Sequence, residues 1–419
     1  MVSHQQQHLC DLSSASPFIR TTFSSIPTLR YSSIYVSFDT ELEQDGNFLT
    51  TQSNESLPAR LQSIAIQNTI RMSGKVPSTM RAWQYTSAKP LEKNLRLNTS
   101  AAIPTPKPDQ YLVQVIACAL NPIDYKPAEI PLVNRLAIRK PATPGLDFAG
   151  YVVKTPTDST LKRGQLVFGV TGTSPLAGGA LAEFAITQKS QIVALPDGVD
   201  PISAATTPVA GLTAYQTIVP HVKQGDKIFI NGGSGGTGVF GIQVAKAVGG
   251  YVTTTCSTPN VELCKSLGAD EVIDYRKQNV LEALKASGHR FDHVVDNVGH
   301  DMNLYWKCHE YTKPSAMYIF VASDLSLGSF ANSLKRRFWP GFLGGGKRKV
   351  SGFFAQPKVD QLERIVAWIK QGKIKPIIDH KFSFEEAPKA FERLKTGRAR
   401  GKIIVQISSD ASPKTWPEE

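Results

Sequence analysis

The sequence predicts an α/β protein that combines a β-rich domain with a doubly wound parallel sheet. Between Met80 and about Pro208, Pro and Gly interrupt short apolar runs, a pattern typical of a small barrel-like β domain. Beyond Pro208, apolar strands alternate with helices, which indicates a parallel sheet covered on both faces. Residues 1–79 are rich in Ser, Thr and Gln with weak periodicity, and they are predicted to form a disordered extension.

The individual elements follow from apolar periodicity. Residues 111–117 alternate as a strand does, and the later strands are predicted at 226–231, 251–255, 271–275, 291–296, 317–322 and 401–407. Helices are predicted at 238–248, at 261–267 and at 359–371, where apolar side chains recur with helical spacing. Ser383 and Glu386 match a capping box, and Gly397 lies where the following helix should end.

Composition narrows the functional classes. The chain has 419 residues and a net charge of +12, with the positive excess in residues 80–419. Such a surface attracts an anionic small molecule or lipid, and no nucleic-acid-binding module is present in the sequence. Five cysteines without a C-x-x-C pair argue against a disulfide framework and a structural zinc site, and favour a reducing compartment.

The predicted location is cytoplasmic, with two alternatives. No run of about 18 apolar residues occurs, so no membrane-spanning helix is predicted. The first 38 residues hold one acid, Asp11, and the basic residues Arg20 and Arg30, which is a weak mitochondrial presequence pattern. Residues 334–349 pair basic residues with Phe338, Trp339 and Phe342. This segment is a candidate for a peripheral membrane contact, an active-site cover, a homodimer contact or an exposed basic loop.

The strongest chemical signal is a glycine-rich turn between a predicted strand and a predicted helix. Gly233, Gly235 and Gly238 match G-x-G-x-x-G, a motif that binds dinucleotides in this setting. The first glycine permits the tight turn, the second admits a pyrophosphate, and the third lets the helix pack on the strand. The helix N-terminus offers N–H groups to the phosphates. The predicted contacts also include Ser234, Gly236, Thr237 and Val239.

The next strand bears on the choice of cofactor. An NAD-binding site usually carries Asp or Glu about 20 residues after the glycines, to bind the ribose hydroxyls. Ser257 and Thr258 stand there instead, and their hydroxyls can donate hydrogen bonds to a 2′-phosphate that a carboxylate would repel. NADPH is therefore the predicted cofactor. Capping of the helix after Pro259 is an alternative role for the same two residues.

With these residues in view, residues 80–408 resemble the medium-chain dehydrogenase/reductase superfamily. The resemblance is nearest to the quinone oxidoreductase-like branch, which includes fungal and plant proteins labelled zinc-type alcohol dehydrogenase-like. Five segments carry it in the family's order: NPIDYK (121–126), PGLDFAG (144–150), AATTPVAGLTAY (204–215), SLGADEVIDY (266–275) and GKIIV (401–405).

The resemblance implies a GroES-like catalytic domain with an inserted Rossmann domain and the cofactor in the cleft between them. The implied bounds are 80–207 for the catalytic domain, 208–374 for the Rossmann domain, 375–410 for a segment returning to the catalytic domain, and 411–419 for a flexible tail. It places Ser257 and Tyr275 at the adenosine end. The other implied cofactor contacts are Thr213, Val298, Gly299, Val321 and Lys402.

The resemblance also identifies the branch by missing metal ligands. Zinc alcohol dehydrogenases hold a catalytic zinc through Cys and His residues in motifs that align here with Asn121, Leu146 and Val209. Leu and Val cannot bind a metal, and a lone Asn amide is a poor zinc ligand. No metal is predicted.

Without zinc, an isolated ketone is a hard hydride acceptor, whereas a conjugated enone or a quinone spreads the developing charge. The predicted activity is NADPH-dependent reduction of one of these, with Asn121, Tyr125 and Lys126 as candidate catalytic residues. Alternatively, Tyr125 packs and Lys126 is solvated. One alternative activity is enoyl-thioester reduction, which Leu132 disfavours because it stands near the place of that branch's acid tyrosine. The other is an NADPH-binding, membrane- or partner-associated protein with little turnover.

Overall fold

The computed structural model describes residues 40–44, 47–51, 76–171, 178–321 and 346–408. The chain forms two units, Met1–Thr69 and Ile70–Glu419. In the first unit, β1 (Thr40–Gln44) pairs antiparallel with β2 (Asn47–Thr51), which departs from the disorder predicted for residues 1–79. The sequence between these strands is Asp-Gly, a hairpin signal that reasoning from composition overlooked. Most of the remaining extension, and the predicted tail 411–419, lie outside the described residues.

The second unit begins with the β-rich catalytic domain. Its strands are β3 (Thr79–Gln84), β4 (Arg96–Ala102), β5 (Gln110–Leu120), β6 (Asp147–Lys154), β7 (Leu166–Val170), β8 (Phe184–Gln188) and β9 (Ile192–Ala194). Its helices are α1 (Leu91–Asn94), α2 (Pro122–Glu129), α3 (Pro131–Ala137) and α4 (Pro201–Ala205). β5 pairs antiparallel with β6 and β8, and it is buried along its whole length because its side chains pack into hydrophobic clusters.

A six-stranded parallel sheet follows, in the order β12-β11-β10-β13-β14-β15. Its strands are β10 (Lys227–Asn231), β11 (Tyr251–Cys256), β12 (Glu271–Asp274), β13 (Phe291–Asp296), β14 (Thr312–Val321) and β15 (Lys349–Phe353). Its helices are α5 (Pro208–Ile218), α6 (Gly236–Ala247), α7 (Val261–Ser266), α8 (Val280–Ala286), α9 (Met302–Trp306) and α10 (Val359–Lys370). The predicted α/β class is confirmed, with the β-rich GroES-like domain and the Rossmann-like parallel sheet both present.

The chain then returns to the first sheet through β16 (Ile378–Ser383), α11 (Ala387–Lys395) and β17 (Lys402–Gln406). β17 pairs antiparallel with β5, so the catalytic sheet is completed by strands that are distant in sequence. Ser383 N donates to Glu386 Oε2, as the capping pattern predicts, and Gly397 has a φ of 65° just after α11. The domain bounds themselves stay a prediction.

The two domains share one hydrophobic core. A single cluster contains Phe168 and Ile404 of the catalytic domain together with Leu212 and Val239 of the Rossmann domain. Close packing of this kind resists displacement of the two domains relative to each other. Among the described residues, no helix has the length and hydropathy to cross a bilayer.

Candidate active site at the junction of the two domains

The glycine-rich turn joins β10 to α6. Gly232 has a φ of 83°, in the left-handed region that favours glycine, whereas none of the three motif glycines has a positive φ. The tight turn predicted for Gly233 is therefore made one residue earlier. Gly232 N donates to Thr255 Oγ1 over 2.8 Å, which ties the turn to the neighbouring strand β11.

The motif glycines are required for close approach. A Cβ on Gly233 would overlap Thr254 Oγ1, and a Cβ on Gly238 would overlap the backbone oxygen of Gly232. A Cβ on Gly235 would meet only Gly232 O, at 3.7 Å, so this glycine faces open space. No side chain among the described residues caps the N-terminus of α6. The turn thus presents N–H groups beside an open cradle that suits a pyrophosphate.

Buried polar side chains at the carboxyl ends of the central strands hold this turn. Asp296 Oδ1 accepts from Asn231 Nδ2, at 2.8 Å, and from the backbone N–H groups of Val298 and Gly299. Thr255 Oγ1 donates to Asn231 Oδ1 over 2.6 Å. Sequence reasoning missed Asp296, Asn231 and Thr255, although a polar residue at or near the end of each apolar strand was a signal for them.

The far end of the turn meets the end of β11. Asn260 Nδ2 donates to Ser234 Oγ and to Ser257 Oγ, each over 3.2 Å. Asn260 Oδ1 is buried and has no hydrogen-bond partner among the described residues, so it can accept from a ligand. The Thr258 hydroxyl bonds the Asp274 carboxylate and lowers its pKa. The hydroxyls of Ser257 and Thr258, both predicted to bind the cofactor, therefore have different hydrogen-bond partners.

Beside the turn lies a buried cluster of charged and amide groups. Lys402 Nζ on β17 donates to Asn121 Oδ1 and, over 3.2 Å, to Asp147 Oδ2. Asn121 Nδ2 donates to Asp147 Oδ2 over 2.8 Å, and Val209 N donates to Asp147 Oδ1 over 2.9 Å. Asp147 is 0% exposed and Lys402 is 3% exposed. Asp147 was not among the predicted site residues.

Burial dominates the electrostatics of this cluster. It raises the pKa of Asp147, although the Lys402 ammonium and the Asn121 amide both favour the ionised carboxylate. Asp124 Oδ2 accepts from Asn121 N over 2.6 Å at the start of α2. Burial, added to by the negative charge of Asp147, raises the pKa of Asp124 to about 7. Two carboxyl groups thus share one neighbouring ammonium.

The turn and the cluster are in contact. Gly401 N donates to Ser234 O over 2.9 Å, immediately before Lys402. A Cβ on Gly236 would lie 3.2 Å from Lys402 Cδ, so the lysine stem passes beside the first residue of α6. The structure therefore brings Lys402, Asn121 and the glycine turn together.

Other predicted residues lie around this junction. Tyr125 packs against the catalytic-domain core, with Lys395 Nζ 5.5 Å from its ring centroid. Lys126 is half-buried in α2. Thr213 Oγ1 donates to Val209 O one turn earlier in α5. Val239 is buried in the core, and Val321 is half-buried at the end of β14. Val298 is exposed and lies next to Gly232, and Tyr275 is exposed after β12.

The residues at this junction do not fit a metal ion. Asn121 Oδ1 already accepts from the Lys402 ammonium, whose charge would repel a cation, and Leu146 and Val209 carry no ligand atoms. Within the part of the chain that the structure describes, no three His, Cys, Asp or Glu side chains are grouped to hold a metal. The absence of zinc stays a prediction, which metal analysis of the purified protein tests.

Fold and site together define a two-domain, nicotinamide-dependent oxidoreductase. The profile described as an alcohol dehydrogenase GroES-like domain matches residues 107–197, and that described as a zinc-binding dehydrogenase matches residues 267–405. The trans-enoyl reductase pgmF of Aspergillus terreus is 47% identical over 363 residues, which are 83% of this chain and 100% of that protein. The 2-methylene-furan-3-one reductase of Solanum lycopersicum is 33% identical, over 92% of this chain and 93% of that protein.

Solved structures of oxidoreductases also resemble this chain. The quinone oxidoreductase from Coxiella burnetii superposes with a TM-score of 0.69 at 30% identity, covering 78% of this chain and 99% of that one. The chain therefore belongs to the medium-chain dehydrogenase/reductase superfamily, in its quinone oxidoreductase-like branch. The resemblance seen in the sequence motifs is confirmed.

Proposed function

We propose that the chain is an NADPH-dependent reductase that transfers a hydride to a quinone or to the C=C bond of an α,β-unsaturated carbonyl compound. The observation that carries the proposal is the contact between the glycine turn and the buried Lys402 cluster. When bound at the turn, NADPH supplies the hydride. A conjugated acceptor moves the resulting negative charge to its oxygen, which the positive charge of the nearby Lys402 ammonium favours, and a proton taken up from water completes the reduction.

The preference for NADPH rests on the charges at the adenosine end. Ser257 directly follows β11, at the place where an NAD-specific site carries a carboxylate. Arg276 is exposed two residues after the end of β12, and Arg400 directly precedes Gly401, which bonds Ser234 O. These two arginines are the candidates for binding a 2′-phosphate, because guanidinium groups bind phosphate oxygens well. The carboxylate of Asp274 opposes this attraction.

An enoyl thioester is the second candidate substrate. The 47% identical relative is named a trans-enoyl reductase, and the chain covers its whole length. Other relatives are named for a methylene-furanone, for quinones and for alkenals or alkenones. A C=C bond conjugated to a carbonyl group is common to an enoyl thioester and to these acceptors, so the chemical step is the same and only the group attached to the carbonyl carbon differs.

A cofactor-oxidation screen tests the proposal. Purified protein is mixed with NADPH or NADH and with four acceptors: a small quinone, a free enone, the matching enoyl thioester and the saturated ketone. Deuteride-labelled NADPH then shows which carbon receives the label. We expect reduction of the quinone to the hydroquinone or of the enone with the label on its β-carbon, and no reduction of the saturated ketone.

Each outcome of the screen has a definite meaning. Turnover confined to the thioester selects the second candidate. Reduction of the saturated ketone, or no turnover with any acceptor, refutes the activity and favours a cofactor-binding protein. Tighter binding of NADH than of NADPH refutes the proposed cofactor preference.

We also propose a cytoplasmic location. The four cysteines among the described residues are free and buried, which suits a reducing compartment. The segment considered for membrane or subunit contact, residues 334–349, lies outside the described residues except for 346–349. Microscopy of the tagged full chain tests the location.

A further inference from the structure

We propose that Asp147 and Lys402 act as a positioning pair, which holds the Asn121 segment and the glycine turn in a fixed relation. The inference deepens the proposed function and rests on it. Neither residue need touch the acceptor for this role. The pair fixes the position of the Asn121 segment relative to the glycine turn, where the cofactor would bind.

The Asp147 carboxylate joins four separate parts of the chain. It lies at the start of β6 and accepts hydrogen bonds from Asn121 before α2, from Lys402 on β17 and from the backbone of Val209 in α5. These three contacts involve both carboxylate oxygens. Loss of the carboxylate would release all of these segments together.

Stability alone is a weak reason for such a pair. Transfer of two charges from water into the protein interior costs free energy that their mutual attraction often does not recover. Apolar side chains of similar size often stabilise a core at least as well. Asp147 and Lys402 are both almost completely buried. A pair with this cost is better explained by what it positions.

The pair reaches the cofactor side through Lys402. The lysine stem contacts the place where a Gly236 side chain would begin, and the preceding Gly401 bonds Ser234 in the turn. A shift of Lys402 therefore displaces both Asn121 and the first residues of α6. Misplacement by about 1 Å can cost a reaction about a hundredfold.

The test separates stability from function. Lys402→Met leaves a buried carboxylate without its ammonium, and we expect its melting temperature to fall by about 10 °C. The double variant Asp147→Asn/Lys402→Met removes both charges and keeps an acceptor for Val209 N. We expect it to recover to within about 3 °C of the wild type.

Function should not recover with stability. We expect the double variant to bind NADPH about tenfold more weakly and to show kcat/KM about a hundredfold below wild type. If the double variant is stable, and its NADPH Kd and kcat/KM both lie within about threefold of wild type, the proposal is overturned. The NADPH Kd needs no turnover, so failure of the proposed function with every acceptor remains distinguishable from failure of the pair.

Lys402→Arg decides the matter if the double variant does not fold. It keeps the charge but replaces a compact ammonium by a planar fork, so we expect a folded protein with kcat/KM about tenfold lower. Wild-type kinetics and NADPH affinity in this variant would overturn the proposal.

The matched control is Arg81→Met/Glu183→Gln. It removes an ion pair of 2.9 Å in the same domain whose side chains are about one-third exposed. We expect its NADPH affinity and kcat/KM to equal those of the wild type.

Discussion

The glycine turn and the Lys402 cluster are in contact, but they are assembled in opposite ways. The turn is built mainly from residues 232–238, which follow one another in the chain. The cluster joins Asn121, Asp147 and Lys402, and the hydrogen bond between Lys402 and Asn121 spans 281 residues. The first depends on local backbone geometry, and the second depends on how the returning strand β17 pairs with β5.

This difference shows which kind of change each region tolerates. In the turn, the limit is space, because a Cβ would overlap Thr254 Oγ1 at Gly233 and the backbone oxygen of Gly232 at Gly238. In the cluster, the limit is charge and hydrogen bonding in a buried setting. Four substitutions sharpen the contrast.

The largest effect is expected from Gly238→Ala in the turn. Its Cβ would overlap the backbone oxygen of Gly232, which cannot move without opening the turn. We expect destabilisation by about 3 to 5 kcal/mol and loss of NADPH binding, measured by urea unfolding and fluorescence titration.

Gly241→Ala is the matched control on the same helix. Its Cβ would meet nothing closer than 3.5 Å, and alanine favours a helix over glycine by about 1 kcal/mol. Equal effects of the two substitutions would show that close approach is not the reason for Gly238.

In the cluster, Asp124→Asn should change the dependence of stability on pH. The folded-state pKa of Asp124 is about 7, against about 3.9 in an unfolded chain, and Asp147 and Lys402 are the charged groups that act on it. Protonated Asp124 therefore contributes its full stabilisation to the wild type below about pH 4. This stabilisation, up to about 4 kcal/mol, is lost as the pH rises through 7.

The asparagine variant lacks this titration. Urea unfolding at several pH values should show a smaller loss of stability between pH 4 and pH 8 in the variant than in the wild type. Parallel pH profiles for the two proteins would contradict the raised pKa.

Asp296→Ala tests the polar network that supports the turn. The change removes the acceptor of the Val298 and Gly299 N–H groups and of the Tyr318 hydroxyl, which donates to Asp296 Oδ2 over 2.9 Å. We expect a loss of about 3 kcal/mol in unfolding free energy and weaker NADPH binding. Tyr318→Phe removes one of these bonds and should cost about 1 kcal/mol. If Asp296→Ala changed neither the unfolding free energy nor NADPH binding, the turn would hold its shape without this polar network.

Ser257→Asp has the smallest expected effect, because it changes charge at the surface of the cofactor site without altering packing. The carboxylate would repel a 2′-phosphate, and we expect NADPH to bind about tenfold more weakly, about 1.4 kcal/mol, while NADH binding stays the same or improves. Ser257→Asn is the uncharged control. Unchanged NADPH binding in the aspartate variant would place the 2′-phosphate elsewhere.

The sequence alone determined the α/β class, most strands of the parallel sheet and the position of the glycine turn. These features depend on residues close together in the chain, so periodicity and a short motif are enough to reveal them. It assigned the tight turn to Gly233, the first glycine of the motif, whereas only the backbone shows that the preceding Gly232 adopts the positive φ.

Only the tertiary structure decided the partners at the cleft. Tyr125 and Lys126 were singled out because they follow Asn121 in sequence, yet in helix α2 the Tyr125 ring packs into the catalytic-domain core. Asp147 meets Lys402 because β6 and β17 both pair with β5, a relation between strands that no local pattern encodes. The burial that raises the pKa values of Asp124 and Asp147 likewise arises only when segments distant in sequence pack together.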